Sequence, residues 1–147
     1  MSAVKSKDTK GEVEIRTRLH RMGLRYSLHQ RRLPGVPDIV FNSYRAIIFV
    51  HGCFWHQHSC ARSKLPETNR GWWRSKLFRN KIRDKQILKD LRSLNWRVLV
   101  IWECAFRGNG KRISANFDEI ARRAYCFIIG NNRIMEIDSL STKLTKH

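Results

Sequence analysis

Two short apolar runs limit most strongly how this chain can fold. The first covers residues 46–50 (AIIFV) and the second covers residues 96–102 (WRVLVIW). A strand whose side chains are apolar on both faces is typical of a sheet that is covered on both faces. We therefore predict two central strands with helices packed on either side of them.

The segments before and between these runs predict further elements. Thr9 and Glu12 form a capping box at the start of a short amphipathic helix that ends at Gly23. Residues 24–29 and 37–41 are predicted to be extended, and residues 64–73 to form a polar loop.

Two helices are predicted in the second half of the chain. A strongly basic helix has apolar positions between residues 78 and 91 and ends near Asn95, and a final helix begins at Phe117 and is closed by Gly130. The last residues of the chain are expected to be frayed. The order α, β, β, β, α, β, α predicts an α/β fold with a mixed central sheet flanked by helices.

Length and charge suggest the class of partner. The chain has 147 residues, 41% of them hydrophobic, so we expect a single domain over residues 1–147. Thirty Lys and Arg against twelve Asp and Glu give a net charge of +18. Such a surface attracts polyanions, so nucleic acid is the first partner to consider. Before any motif is read, a ribosomal or general RNA-binding protein is the alternative.

Cysteine usage suggests a compartment and a role. We find no membrane-spanning stretch and no signal-peptide core, so we expect a cytoplasmic protein with no membrane partner. The four cysteines should then be reduced, and they are better candidates for metal ligands or buried apolar positions than for disulfides. Cys126, inside the final predicted helix, is the candidate for a plain core position.

Residues 51–60 (HGCFWHQHSC) hold three of the six histidines and two of the four cysteines. The segment has almost no aliphatic residue, so something other than a core must hold it. Cys53, His58 and Cys60 are close enough to share one ion, and Cys104 could supply the fourth ligand of a tetrahedral structural zinc site. The spacing is not that of a zinc finger. The alternative is that Cys104 is a buried strand end and that the segment holds no metal.

Four residues have the chemistry of a hydrolytic site. Asp38 follows a proline at a predicted strand, and Mg²⁺ needs such a carboxylate beside phosphate oxygens, although a lone strand aspartate is more often solvated. His51 and His56 can reach the same end of the sheet, where imidazole can activate water or protonate a leaving oxygen. Each also has a structural explanation in the loop, as Glu12 has in the capping box.

Two aromatic pairs, Phe54-Trp55 and Trp72-Trp73, lie among basic residues in segments predicted to be exposed. Aromatic rings interleaved with cations suit base stacking or insertion between base steps. Burial in a core is an equal alternative.

Several motifs, in one order, resemble the very short patch repair (Vsr) DNA mismatch endonucleases. They are residues 33–38 (LPGVPD), 44–50 (YRAIIFV), 51–56 (HGCFWH) and 96–104 (WRVLVIWEC). The similarity spans roughly residues 3–107 and continues more loosely through the final helix. The resemblance implies a restriction-endonuclease-like fold and an enzyme that nicks one strand of duplex DNA beside a T:G mismatch.

The resemblance also implies roles for the catalytic positions. Asp38 would hold Mg²⁺ with help from the backbone carbonyl of Val50. His56 would activate water, and His51 would assist at the phosphate. Glu12 matches an acidic residue of the family's first helix near the active site.

Two further groups are carried over from the family in the same way. The zinc ligands match Cys53, His58, Cys60 and Cys104. Phe54, Trp55 and Trp73 match an aromatic wedge that enters the duplex at the mismatch, while Lys76 and Asn80 match residues that approach the mismatched bases.

Two departures from the family's pattern stand out. Its members carry a longer N-terminal arm that grips DNA, whereas this chain begins almost at its first helix, and Val50 replaces a common threonine. The leading hypothesis is a monomeric, Mg²⁺-dependent nickase of the bacterial cytoplasm that is associated with the nucleoid when bound to DNA. The alternatives are a nickase specific for gaps or other discontinuities, and a zinc-containing DNA-binding module without catalysis.

Overall fold

The structure, a computed structural model, describes residues 9–60, 63–107 and 116–139. Its helices are α1 (Lys10–Arg21), α2 (Arg70–Ser93), α3 (Cys104–Arg107) and α4 (Phe117–Ile129). Its strands are β1 (Ser27–Leu28), β2 (Ile39–Phe41), β3 (Ala46–His51), β4 (Arg97–Trp102) and β5 (Ile134–Ile137). The strands form one sheet in the order β1-β2-β3-β4-β5, antiparallel from β1 to β3 and parallel from β3 to β5. The predicted α/β fold with a mixed, helix-flanked sheet is confirmed.

The two apolar runs form the central strands β3 and β4, and their alternating side chains build two separate cores. Ile48 and Leu99 belong to a larger core shared with α1 and α4. Ile47 and Val98 point the other way, into a smaller core with residues of α2. All four side chains are fully buried, so the sheet is covered on both faces as predicted.

Helix α1 begins as the capping box predicts. The Thr9 hydroxyl accepts a hydrogen bond from the Glu12 N–H at 3.3 Å and lies 3.3 Å from Glu12 Oε2. Ile15 and Leu19 pack fully buried against the sheet, and Gly23 follows the helix with a φ of 98°. Glu12 itself is only 2% exposed, so the helix holds a carboxylate inside the protein.

Helix α2 begins earlier than the sequence predicted. The expected polar loop over residues 64–73 is wrong at its end, because α2 starts at Arg70 and includes Trp72 and Trp73 in its first turn. Of its 24 residues only Leu77 and Leu91 are buried. A helix with so little burial shows weak apolar periodicity, which is why its first turns were missed.

Three features near the C-terminal part were also missed or wrong. Strand β5 pairs in parallel with β4, but only Ile137 of its four residues is buried, so an edge strand gave little signal. The short helix α3 directly after β4 was not predicted. Cys126 is exposed on α4 and is therefore not a core cysteine. The last residues, 140–147, which were expected to be frayed, lie outside the described residues.

Within the described part of the chain, no helix combines the length and the apolar character that crossing a membrane requires.

Replacing Gly11 by alanine should destabilise the protein, although alanine favours helices. An added Cβ would lie 2.5 Å from Cζ of the buried Phe106 ring, so α1 or α3 must shift. Overpacking of this kind costs about 1–3 kcal/mol, which lowers Tm by roughly 3–8 °C in a chain of this size. Gly71→Ala is the control, since its Cβ would meet no described atom within 4 Å. Equal Tm values for the two variants would contradict this packing.

Candidate active site

A cleft opens where strand β3 ends, and it contains the four residues predicted to be catalytic. Two adjoining pockets share Val50, His51 and His56 in their walls. Asp38 lines the first pocket and Glu12 lines the second. The structure therefore brings these side chains together from helix α1, from the start of β2, and from the end of β3 and the loop that follows it.

Asp38 lies directly before β2 and is tied to the neighbouring strand. The Val50 N–H donates a hydrogen bond of 2.7 Å to Asp38 Oδ2. Burial, and then the nearby carboxylate of Glu12, raise the pKa of Asp38 to about 7, while the Val50 hydrogen bond lowers it. Two buried carboxylates that repel each other are a donor set that a divalent cation would stabilise.

His29 also belongs to this carboxylate pair, and the sequence analysis missed it. Its Nε2 lies 3.6 Å from Glu12 Oε1, and its Nδ1 lies 3.8 Å from Asp38 Oδ1. The register of β1 against β2 places His29 opposite Asp38, and the His29 N–H donates to the Asp38 carbonyl at 3.2 Å. That register was the signal available, but it requires knowing that the two extended segments pair.

His51 and His56 stack face to face in the same cleft. Their ring centroids are 3.7 Å apart and their planes differ by 4°. His56 Nδ1 lies 2.6 Å from Asp84 Oδ2 on α2. Because an ionised carboxylate can only accept, Nδ1 carries the proton in this contact and Nε2 presents a lone pair. Asp84 was missed because an aspartate between Arg83 and Lys85 is typical of a solvated helix face.

The environment of His51 keeps its imidazole neutral. Burial, and then the neighbouring His56, hold the pKa of His51 well below its usual range. Among the described residues its buried Nδ1 has no hydrogen-bond partner. A neutral ring next to His56 does not repel the charge that His56 would gain on taking up a proton.

Behind the cleft, Cys53, His58, Cys60 and Cys104 form a second cluster, here called the cysteine cluster. Each offers one ligand atom, and these atoms lie within 4.8 Å of one another. His58 Nδ1, for example, lies 3.6 Å from Cys104 Sγ. The fold therefore brings together the four residues that the sequence spacing had suggested. Their donor set of three sulfurs and one imidazole suits a metal ion such as zinc.

The thiols of the cysteine cluster already compete for protons. The hydrogen bond from the Cys53 thiol, and with it the Ser139 N–H, lowers the pKa of Cys104 to about 5, although burial acts in the opposite direction. The same contact raises the pKa of Cys53, as does its burial. Since one thiolate is favoured beside a second thiol, a cation could replace the shared proton.

Asp138 supports the histidine of this cluster from outside. Its Oδ2 lies 3.1 Å from His58 Nε2, on the side of the ring opposite the sulfurs. Trp102 stacks on the same imidazole at 4.3 Å. A carboxylate behind a ligating histidine orients the ring and selects its tautomer. Asp138 was not predicted because it directly follows β5, where no element was expected.

Phe54, Trp55 and Trp73 form an aromatic cluster beside the cleft. Their ring centroids are 5.1 to 5.8 Å apart, and each ring is half-buried. Trp72 packs edge-on against Trp73 at 4.9 Å and is 57% exposed. The rings are therefore neither buried in a closed core nor fully exposed, which were the two alternatives. They form a packed, partly exposed cluster.

Lys76 and Asn80 follow Trp73 along α2 on the side that faces this cluster. The Lys76 ammonium lies 5.6 Å from the Trp72 ring centroid. Asn80 donates to the Trp55 carbonyl at 3.3 Å and accepts from Arg83 at 2.8 Å. In this structure the Asn80 side chain therefore supports the loop that carries Phe54 and Trp55.

Comparison with known proteins places this chain among DNA-cleaving enzymes. The family model described as DNA mismatch endonuclease Vsr matches residues 1–62. The DNA mismatch endonuclease Vsr of Escherichia coli is 37% identical over 139 residues, which cover 95% of this chain and 87% of that protein. The type II nicking enzyme V.XorIIP of Xanthomonas oryzae pv. oryzae is 45% identical over 104 residues, covering 71% and 76%. The type II nicking enzyme V.NmeAIP of Neisseria meningitidis is 38% identical over 107 residues, covering 73% and 76%.

The chain has a helix-flanked mixed sheet, and its sequence is similar to these enzymes along most of its length. Together these features define a DNA endonuclease, a hydrolase of the restriction-endonuclease-like fold. The chain belongs to the Vsr family of DNA mismatch endonucleases, as the sequence motifs had predicted.

In the metal-free protein, Asp38→Asn should raise Tm at pH 8. The pKa of Asp38 is raised from its ordinary value of 3.8 to about 7, so the native state binds this proton more tightly than the unfolded chain does. The stability of the native state therefore falls as the pH rises from about 4 to about 7. We expect a gain of roughly 2–5 °C at pH 8 and a smaller gain at pH 5, measured by thermal denaturation with a chelator present. Asp118→Asn, at a side chain that is 88% exposed, is the control. An equal gain at both pH values would contradict this explanation.

Proposed function

We propose that this endonuclease nicks one strand of duplex DNA at a T:G mismatch by Mg²⁺-dependent hydrolysis of a phosphodiester bond. The observation that carries the proposal is the single cleft in which the Glu12–Asp38 carboxylate pair adjoins the stacked histidines His51 and His56. Similarity to a protein named as a mismatch endonuclease, over 95% of this chain, supports the choice of substrate.

The carboxylate pair is the proposed site of the divalent ion. Asp38 would hold it together with the backbone carbonyl of Val50, and Glu12 would lie beside it. Bound Mg²⁺ supplies charge neutralisation and polarises a phosphate oxygen. The Val50 N–H already fixes Asp38 Oδ2, so the other carboxylate oxygen is the one left to face the ion. The valine in place of threonine does not matter if the backbone provides the ligand.

His56 is the proposed general base, and Asp84 is a positioning residue behind it. The 2.6 Å contact between His56 Nδ1 and Asp84 Oδ2 holds the ring and leaves Nε2 to take a proton from the attacking water. Asp84 would also stabilise the imidazolium that results. His51, neutral and stacked on His56, would assist at the phosphate without adding a repelling charge.

The aromatic cluster is the proposed element that recognises the lesion. Phe54, Trp55 and Trp73 would enter the base stack at the mismatch, with Lys76 and Asn80 near the mismatched bases. A T:G pair is less well stacked and paired than a matched pair, so opening the duplex there costs less. The net charge of +18 would supply the attraction to the phosphate backbone.

The cysteine cluster is the proposed structural zinc site. Zinc bound by Cys53, His58, Cys60 and Cys104 would fix the loop that carries His56 and the first two aromatic residues. We propose that the chain acts as a single domain and as a monomer, because one cleft suits an asymmetric lesion. It would work in the bacterial cytoplasm, on the DNA of the nucleoid.

Nicking of end-labelled duplexes tests the proposed reaction. Duplexes that carry T:G, a one-nucleotide gap or neither would be compared with and without Mg²⁺. We expect Mg²⁺-dependent nicking at T:G, and Asp38→Ala should reduce it at least about 100-fold while DNA affinity changes less than about threefold. Cutting at gaps alone would overturn the proposed substrate. Salt-sensitive binding without any cutting would favour a DNA-binding module.

The His56–Asp84 pair can be tested in the same assay. Asp84→Asn should lower the rate of nicking by about 10- to 100-fold, since the amide can present its NH₂ as well as its oxygen to Nδ1 and carries no charge to stabilise the imidazolium. Asp90→Asn, on the same helix and hydrogen-bonded to Gln86, is the matched control and should leave the rate unchanged. Equal rates for the two variants would remove Asp84 from the mechanism.

Zinc binding should depend on Asp138. The purified chain should contain about one zinc ion, and Asp138→Asn should weaken zinc binding by about 10- to 100-fold in competition with a chromogenic chelator. Asp118→Asn on α4 is the control. A chain without zinc would overturn the proposed zinc site, and unchanged affinity in Asp138→Asn would show that the 3.1 Å contact does not orient His58.

A further inference from the structure

We propose that His29 is a third ligand of the divalent ion in the cleft and that it shifts the preference of the site from Mg²⁺ toward a transition metal such as Mn²⁺. This inference rests on the proposed function, in which the Glu12–Asp38 pair holds a divalent ion. It goes further by adding a nitrogen donor to a site otherwise made of oxygens.

The separation of the ligand atoms supports a shared ion. One atom each from Glu12, His29 and Asp38 lies within 4.8 Å of the others. His29 Nε2 lies 3.6 Å from Glu12 Oε1, and the other ring nitrogen, Nδ1, lies 3.8 Å from Asp38 Oδ1. Both separations are wider than a closed hydrogen bond. Two ligands of one six-coordinate ion, each about 2.1 Å from it, are at most about 4.2 Å apart, so a small inward movement would bring one atom of each side chain to a shared ion.

The backbone holds His29 in place beside Asp38. Its position opposite Asp38 is set by the β1–β2 ladder and by the 3.2 Å hydrogen bond from its N–H to the Asp38 carbonyl. His29 has a φ of 47°, in the left-handed region that is unfavourable for a residue with a side chain. Strained backbone that aims a side chain into a cleft is typical of functional sites. His29 is only 18% exposed at its side chain and lines the same pocket as Asp38.

The chemistry of the donors favours a transition metal. Mg²⁺ selects oxygen ligands and retains water, whereas the divalent first-row transition metals, of which Mn²⁺ is the hardest, also bind imidazole nitrogen. Mn²⁺ accepts both carboxylate oxygen and imidazole nitrogen, so a site with two carboxylates and one histidine should bind it more tightly than Mg²⁺. The variant His29→Gln returns the site to oxygen donors alone, because the amide oxygen can replace the nitrogen.

Direct Mn²⁺ binding tests the inference without relying on catalysis. The purified full-length chain would be titrated with MnCl₂ while free Mn²⁺ is followed by electron paramagnetic resonance, and Mg²⁺ affinity would be obtained by competition. We expect His29→Gln to weaken Mn²⁺ binding by about 10-fold and to change Mg²⁺ affinity by less than about threefold. The matched control is His20→Gln, at an exposed histidine of α1, and it should change neither affinity.

The outcomes separate this inference from the proposed function. If Asp38→Asn abolishes Mn²⁺ binding but His29→Gln does not weaken it, the metal site stands and the role of His29 is overturned. If His29→Gln instead tightens binding of both ions, His29 acts as a competing counter-charge, and the inference is again overturned. Mn²⁺ binding that is insensitive to Asp38→Asn would overturn the proposed metal site together with this inference.

Discussion

The parallel pairing of β3 with β4 determines where the cleft and the cysteine cluster meet. Both strands are buried on both faces, so their register cannot slip without exposing one core or the other. In that register His51 lies opposite Trp102, and the chain continues from one strand into the His- and Cys-rich loop and from the other into Cys104. The cleft and the cysteine cluster are therefore neighbours because two apolar strands end side by side.

Electrostatics in the cleft follow from how little water reaches it. The Glu12–Asp38 pair is costly when buried without a cation, and the same burial keeps His51 neutral. The fold accepts this cost because the apolar cores on both sides of the sheet supply the stability. A surface rich in Lys and Arg surrounds these few buried acids, so a phosphate backbone is attracted to the protein while the Glu12–Asp38 carboxylate pair stays inside it.

Most of the fold could be predicted because local sequence patterns determine its helices and strands. Examples are the Thr9 capping box and the two apolar runs. The cysteine cluster was also accessible, since three of its members are close in sequence. What was missed depends on tertiary placement. His29 and Asp138 become meaningful only through strand pairing, and Asp84 only because one side of a basic helix faces His56. Trp73 was assigned to a loop because its helix buries too little to show periodicity.

Residues 51–60, from the last residue of β3 into the following loop, serve three sites in alternation. His51 and His56 face the cleft, Cys53, His58 and Cys60 belong to the cysteine cluster, and Phe54 and Trp55 belong to the aromatic cluster. A single inserted or deleted residue inside 51–60 would displace the residues on one side of it relative to those on the other, and so separate groups that one spacing now serves. Ser59 is exposed, whereas Gln57 donates to the Phe54 carbonyl at 2.8 Å and holds the loop together. Three functions thus share one chain spacing, which leaves the length of this segment fixed.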